Sequence, residues 1–303
     1  MSSRTDNPKD TKRDLNRFDP VTASTRLFCL LGDPVSHSRS PAMMNPALAA
    51  AGVDGVYLAL RTPTRDLERV INTLKAVGFG GGNVTAPHKE RVAALVDRLS
   101  PGAELSGSVN TLAWDGDTLV GYNTDGSGLV RAIEEGSGMS LSGARVLLLG
   151  AGGAARGVIP ALFHGGAAKM YLANRTEARA RELAERFGDL GPIVPLPLED
   201  AALFERGDGA LDGFGIVINA TSARVEGGVI AGLDLARMSP GSLFFDMNYY
   251  HGDDETAGLL KKTGILHAKG MDMLLFQGVD AFELWTGAAA PVAIMRRSLT
   301  HPE

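Results

Sequence analysis

Arg145–Phe163 reads RVLLLGAGGAARGVIPALF. Val146–Leu149 is an unbroken apolar run, the pattern of a strand covered on both faces. Gly150-Ala151-Gly152-Gly153 interrupts it, and the residues from Ala154 onward resume an apolar pattern as a helix. Strand, glycine turn and helix in that order form the opening unit of a doubly wound parallel sheet. The glycines permit a tight turn and let the backbone approach a pyrophosphate closely. The helix start adds N–H groups that have no partner within the helix and attract anions. Gly150, Ala151, Gly152, Gly153 and Ala154 are therefore candidate nucleotide contacts, with Ala155 in the third position of the fingerprint.

The next strand, KMYLANR (169–175), carries the cofactor choice at its end. An NAD site places an acid about 20 residues beyond the glycines, against the ribose hydroxyls. Here the segment is Asn174-Arg175-Thr176, with Arg179 one turn later. Two guanidiniums and a threonine able to cap the following helix suit a 2′-phosphate, which arginine binds through paired hydrogen bonds. The expected cofactor is NADP(H). Further strands within 214–222 and 242–249, with helices at 176–187, at about 271–286 and after Pro291, continue the α/β alternation.

Upstream lies a second α/β unit. LFCLLG reads as a buried strand ending at Gly32, and Ser40-Pro41 as a helix start with serine as cap. VYLALR (56–61) is a strand and 64–77 a helix. NVTAPHK (83–89) follows three glycines, Gly80–Gly82. Pro87 has no N–H to donate and fixes its own φ, so it ends a strand and is expected to start a helix running to about Leu99. That helix start would put Thr85 and Lys89 at the mouth of a strand–helix junction, where α/β proteins concentrate their chemistry. Residues 109–123 form a hairpin turning at Asp115-Gly116, and a helix begins at about Asp125.

Composition limits the function. Over 303 residues, 44% are hydrophobic and 21% charged, as in a globular protein of two ordinary domains. A net charge of −5 gives no basic footprint for nucleic acid. No apolar run is long enough to cross a bilayer. The single cysteine, Cys29, sits in an apolar run and reads as core packing in a reducing, cytoplasmic setting. Six scattered histidines and one cysteine give no metal-binding spacing. Residues 1–26 are polar, charged and without periodicity or an apolar signal region, and are expected to be a disordered tail.

GDPVSHSRSP (32–41), NVTAPHK (83–89), SGSVNTL (106–112), GYNTDG (121–126), GAGGAARG (150–157), NRT (174–176) and MLLFQGVDAFELWTG (273–287) stand in one order along the chain. Together they resemble the shikimate dehydrogenase family, from about Arg26 to about Arg297. The resemblance implies that Ser38 and Ser40 hold a substrate carboxylate. Thr85, Asn110 and Gln277 would bind ring hydroxyls, Tyr249 would reach the substrate, and Lys89 and Asp125 would be the catalytic pair. Thr221, Met247 and Gly270 would be further cofactor contacts.

The residues support such chemistry independently of the resemblance. Hydride addition to a ketone builds negative charge on its oxygen, which a nearby cation stabilises and a proton donor then neutralises. Lys89 oriented by Asp125 can do both, and either residue can be the formal proton carrier. Asn110 could instead anchor a turn, and Asp125 could instead be only a helix cap. The sequence departs from the family pattern at Met44, at Ala223-Arg224, at Tyr250-His251-Gly252 and at Asp272.

The expected architecture is a substrate-binding domain over 27–124 and 271–303, and an NADP-binding Rossmann domain over 125–270, with the site in the cleft between them. The expected activity is NADP-dependent interconversion of 3-dehydroshikimate and shikimate by a monomer or homodimer. A dehydrogenase for quinate or another ring acid, and a nucleotide-binding regulator without catalysis, are the alternatives.

Overall fold

The computed structural model describes residues 21–201, 213–249 and 254–300. Its first half contains β1 (Arg26–Gly32), α1 (Ser40–Ala50), β2 (Gly55–Arg61), α2 (Leu67–Ala76), β3 (Gly81–Val84), β4 (Arg98–Leu99), α3 (Pro101–Ser106), β5 (Thr111–Asp115), β6 (Thr118–Tyr122) and α4 (Asp125–Arg131). These six strands form one mixed sheet in the order β2-β1-β3-β5-β6-β4. β1 runs parallel to β2 and β3, and β5 runs antiparallel to β3 and β6.

The second half contains β7 (Arg145–Leu149), α5 (Gly153–His164), β8 (Lys169–Asn174), α6 (Glu177–Phe187), β9 (Ile193–Pro197), α7 (Leu198–Ala201), β10 (Ile216–Asn219), a short ribbon of β11 (Val229–Ile230) and β12 (Leu233–Asp234), β13 (Leu243–Asp246), α8 (Asp254–Lys262) and β14 (Leu266–Lys269). Its six-stranded sheet has the order β14-β13-β10-β7-β8-β9 and is parallel throughout. The apolar runs explain this. Val146–Leu149 of β7 and Ile216–Asn219 of β10 are buried along their whole length, which only a sheet covered on both faces provides.

The chain closes with α9 (Gly270–Thr286) and α10 (Val292–Thr300). α9 serves both sheets. Its Met273 and Phe276 join the core around Val146, Ile159 and Ile216. Its Leu275, Val279, Phe282 and Trp285 join the core around Phe28, Met43 and Tyr57. Trp285 also donates its indole N–H to the Leu112 carbonyl at 2.9 Å. α4 lies against α9 through glycine: a Cβ on Gly128 would stand 2.8 Å from the Gln277 backbone nitrogen. The functional candidates Asp125 and Gln277 thus sit on two helices whose spacing is set by a missing methyl group.

Several expectations change. No helix follows Pro87. The Ala86–Pro87 bond is cis, a turn follows, and only a short 3-10 helix forms at Arg91–Ala94. The segment's backbone groups go to the sheet instead: Val109 N–H donates to Lys89 O, Asp97 N–H to Leu119 O, and Arg98–Leu99 pairs with β6. Ser40 is not a helix cap. It is the first residue of α1, whose cap position is Arg39 without a side-chain bond, and Ser38 Oγ accepts the Ser40 N–H at 3.2 Å. Thr176 occupies the cap position of α6 but makes no capping bond. The supposed tail lies outside the described residues up to position 20. Residues 22–25 form a turn, Ser24 Oγ donates to Asp54 at 3.0 Å, and Arg26 already belongs to β1. Cys29 is fully buried as expected.

Substituting Gly128→Ala tests the α4–α9 contact. Helix propensity alone would stabilise the variant by about 1 kcal/mol. Overpacking against backbone costs about 1–3 kcal/mol, so urea unfolding is expected to show a lower midpoint. A raised midpoint would mean that the helices can part freely.

Candidate active site

The catalytic candidates meet at the ends of β3 and β6. The turn after β3 carries Lys89, and the first residue of α4 is Asp125. Lys89 Nζ donates to Asp125 Oδ2 at 2.7 Å. Both side chains are mostly buried, at 20% and 9% exposure, so the pair is far less screened than a surface ion pair. Two anchors hold the Lys89 turn. One is the Val109 N–H bond to Lys89 O. The other is His88, fully buried, whose Nε2 lies 2.6 Å from Thr62 O. A carbonyl only accepts, so Nε2 carries the hydrogen.

Asp125 is not a cap. Thr124 takes the cap position without a side-chain bond, and the N–H groups of Asp125 and Gly126 donate to Asn123 Oδ1 at 3.1 and 3.3 Å. Asn123 thereby frees the Asp125 carboxylate for Lys89 and Asn110. Asn110 is 2% exposed. Its amide donates to Asp125 Oδ1 and Thr124 Oγ1, each at 3.0 Å, with Gln277 Oε1 at 3.4 Å. Its carbonyl accepts the Thr124 N–H at 2.7 Å. Asn110 is thus both a turn anchor and a partner of the Asp125 carboxylate. Gln277 Nε2 donates to Leu274 O at 2.8 Å, which turns Oε1 toward Asn110.

The network continues inward through residues that the sequence did not single out. Thr111 Oγ1 lies 3.1 Å from Thr124 Oγ1. Asn83 Nδ2 donates to Thr111 Oγ1 at 3.1 Å, and Tyr57 donates its hydroxyl to Asn83 Oδ1 at 2.8 Å. Ser40 is 5% exposed. Burial pushes the Tyr57 phenol well above its ordinary pKa, with Cys29 and Tyr249 adding to the shift and the Ser40 hydroxyl opposing it. Tyr57 is therefore a neutral hydroxyl. Tyr249 stands just beyond β13, and Ser38 and Thr85 are half-buried.

The other wall is the glycine turn. Gly150 has φ of 102°, and a Cβ there would press on Thr221 Cγ2 at 2.9 Å and Ala220 O at 3.1 Å. Gly152 opens onto free space and α5 has no side-chain cap. The turn therefore offers uncapped N–H groups and room for a diphosphate. Ala151 N–H donates to Asn174 Oδ1 at 3.1 Å, which ties Gly150–Ala154 to the end of β8. Arg175 and Arg179 are exposed, and their guanidiniums have no partner among the described residues. Thr221 Oγ1 donates to Asn219 Oδ1 at 2.7 Å. Met247 N–H donates to Asn219 O at 3.0 Å, and a Cβ on Gly270 would run into the Met247 carbonyl. These residues fit a dinucleotide with an extra phosphate.

Glu90 reaches across from the Lys89 turn. Its Oε1 stands 3.5 Å from the Cβ position of Gly153 and 3.9 Å from Arg156 Nε. Of the departures from the family pattern, Arg224 is exposed and Asp272 pairs with Arg296. Tyr250, His251 and Gly252 lie outside the described residues. Among the described residues no group of three or more His, Cys, Asp and Glu could hold a metal ion, and no helix could cross a membrane.

Residues 30–112 match the family model for the shikimate dehydrogenase substrate binding domain. Residues 132–246 match shikimate / quinate 5-dehydrogenase, and 270–300 the shikimate 5′-dehydrogenase C-terminal domain. A shikimate dehydrogenase (NADP(+)) of Geobacter metallireducens is 40% identical over 280 residues, 91% of this chain and 96% of the relative. The crystal structure of shikimate 5-dehydrogenase from Listeria monocytogenes, in complex with shikimate and NAD, superposes with a TM-score of 0.82. It is 30% identical, with 92% of this chain and 98% of that one covered. The enzyme of Thermus thermophilus, in complex with NADP(H) and shikimate, gives 0.77 at 34% identity, over 91% and 99% of the chains.

Asn110→Asp tests the hub. The new carboxyl would face Asp125 where an amide N–H now donates, so like charge raises the folded pKa of the acid pair above its unfolded value. An acid with a raised folded pKa destabilises at neutral pH and is relieved as pH falls through that pKa. The melting temperature of the variant should lie well below that of the parent at pH 7, and the gap should narrow toward pH 5. A gap independent of pH would contradict the contact.

Proposed function

The chain belongs to the shikimate dehydrogenase family, and on that footing we propose that it catalyses the NADP-dependent, reversible reduction of 3-dehydroshikimate to shikimate. The observation that carries this reading is the Lys89–Asp125 pair, 2.7 Å apart and oriented by Asn110 beside the glycine turn.

The roles proposed are those that the family resemblance implies at the matching positions. Lys89 lies against the ketone oxygen and stabilises the negative charge that develops there. The proton that completes the alcohol comes from the Lys89–Asp125 pair. Asn110, Gln277 and Thr85 hold the ring hydroxyls, and their fixed orientation lets them discriminate between hydroxyl positions. Ser38 and Ser40 hold the carboxylate through neutral hydroxyls, and Tyr249 closes on the ring from the opposite wall. Gly150, Ala151, Gly152, Gly153 and Ala154 hold the diphosphate. Asn174, Arg175, Thr176 and Arg179 hold the 2′-phosphate, while Thr221, Met247 and Gly270 flank the nicotinamide. Bound there, the dinucleotide supplies the hydride for reduction and accepts it in oxidation.

The same reading divides the chain into a substrate-binding domain over 27–124 and 271–303 and an NADP-binding domain over 125–270. It describes a cytoplasmic enzyme acting as a monomer or homodimer.

Two measurements test the reading. NADP⁺ reduction should be rapid with shikimate. Lys89→Ala should lower kcat by roughly 10²–10⁴-fold, the usual contribution of a positioned acid–base group, with the Kd for NADP⁺ unchanged. Turnover of quinate instead would move the substrate to another ring acid. An unchanged kcat in the variant would remove Lys89 from the chemistry. Arg175→Ser combined with Arg179→Ser should raise KM for NADP⁺ roughly tenfold or more, as expected for lost charge-assisted bonds, and leave KM for NAD⁺ within about twofold. Equal losses with both cofactors would contradict the 2′-phosphate assignment.

A further inference from the structure

Gly157 sits in the second turn of α5, the helix that follows the glycine turn, and it is buried. Glycine weakens a helix interior relative to alanine, so its presence there calls for a cause. A Cβ on Gly157 would stand 3.2 Å from Asn123 Nδ2, 3.6 Å from Ser108 Oγ and 3.8 Å from Asp125 Oδ2. The first of these is closer than the roughly 3.5–4.0 Å at which nonbonded heavy atoms rest. The nucleotide helix therefore passes directly beneath the residues that hold Asp125.

Neither side can withdraw freely. Asn123 Nδ2 donates to Ser106 Oγ and to Ser108 O, each at 3.1 Å. Its Oδ1 accepts the N–H groups of Asp125 and Gly126. The carboxamide is thus held at both ends, and turning it away would release the start of α4. On the other side, α5 is seated by Ala155, Val158, Ile159 and Leu162 in the core below it. Arg156, beside Gly157, pairs with Glu182 of α6 at 3.1 Å. One turn on, the Cβ of Ala161 lies 2.6 Å from where a Cβ on Gly126 would stand, so the crossing is tight at two points. A methyl group at position 157 would press on Asn123, and through its Oδ1 on the backbone of Asp125.

We propose that Gly157 is a positioning residue for the Asp125 carboxylate: its missing side chain leaves the room in which Asn123 sets the start of α4, so that Asp125 meets Lys89 at hydrogen-bond distance. The nucleotide helix thereby supports the acid–base pair, apart from any contact it makes with the dinucleotide. The proposal rests on the reading of Lys89 and Asp125 as the catalytic pair. Turnover by the parent and its loss in Lys89→Ala test that reading alone.

The test compares the parent with Gly157→Ala, Asn123→Ala, the double variant and Gly258→Ala. Gly258 lies within α8, where a Cβ would meet nothing within 4 Å, so that variant shows what alanine does in a helix without crowding. For Gly157→Ala, kcat with shikimate and NADP⁺ should fall about tenfold, because misplacement by about 1 Å costs about 10²-fold and this displacement is a fraction of that. The Kd for NADP⁺, measured by calorimetry, should stay within about twofold, because the helix start that receives the diphosphate is untouched. A crystal structure of the variant should show the 2.7 Å bond from Lys89 to Asp125 lengthened. Asn123→Ala removes the group nearest the new methyl, so in that background Gly157→Ala should lower kcat by less than about twofold further, as expected of residues in contact. Gly258→Ala should leave kcat unchanged. If Gly157→Ala alone does not fold, the double variant should regain a folded, NADP⁺-binding protein. An unchanged kcat in Gly157→Ala, an equal loss of NADP⁺ affinity, an unmoved Asp125 carboxylate, full additivity with Asn123→Ala, a matching loss in Gly258→Ala, or a double variant that stays unfolded would each overturn the proposal.

Discussion

A buried amide tolerates no idle hydrogen-bonding groups, and Asn110 is the amide on which this structure turns. It lies at the start of β5, almost wholly out of water, where an unmet donor or acceptor costs about 1–3 kcal/mol. Its carbonyl is met by the Thr124 backbone and its amide by Asp125. Those partners exist only if β6 returns beside β5 and α4 starts immediately afterwards. The requirement to satisfy one side chain therefore fixes where the carboxylate of Asp125 stands, and through it where Lys89 is held. The pairing of Lys89 with Asp125 is an outcome of satisfying polar groups in the core as much as of direct contact.

Glycine supplies the second constraint. Gly128 brings α4 against Gln277 of α9, Gly126 and Gly157 let α4 and α5 approach, and Gly150 lets the turn after β7 pass beneath Thr221. Each missing methyl draws two elements together at the cleft. The result is a site whose walls come from both sheets, and whose floor is α4 packed on α9, the helix shared between their cores. Because Lys89 and Asp125 are mostly buried, water screens the field of the ammonium less than it would at the surface.

Much of this was legible in the sequence because it is local. The run Val146–Leu149 followed by Gly150, Gly152 and Gly153 admits few backbone solutions, and Asn174-Arg175-Thr176 sits where strand geometry must place it. Lys89 and Asp125 were legible from their motifs. What misled was also local reasoning. Pro87 and Ser40-Pro41 carry helix-start chemistry, yet after the first the chain is drawn into bonds of Lys89 with Val109 and of Asp97 with Leu119, and the second yields its cap position to Arg39. Thr124, Thr111, Asn83 and Tyr57 escaped notice because their meaning depends on partners 13 to 28 positions away. Asn123 alone left a usable signal, an asparagine two residues before a helix start. Nothing short of the fold reveals that a tyrosine inside an apolar strand joins a buried amide chain.

We propose that the Asn110-held pair of Lys89 and Asp125 receives the reacting oxygen while Ser38 and Ser40 receive the carboxylate. A crystal structure with NADP⁺ and shikimate bound tests it most directly. The oxidised hydroxyl should lie within about 3 Å of Lys89 Nζ, hydrogen-bond distance, with the carboxylate on the two serine hydroxyls and the Asn110–Asp125 bond preserved. A ring bound in the reverse sense, with its carboxylate on Lys89 and no hydroxyl near Asp125, would contradict it.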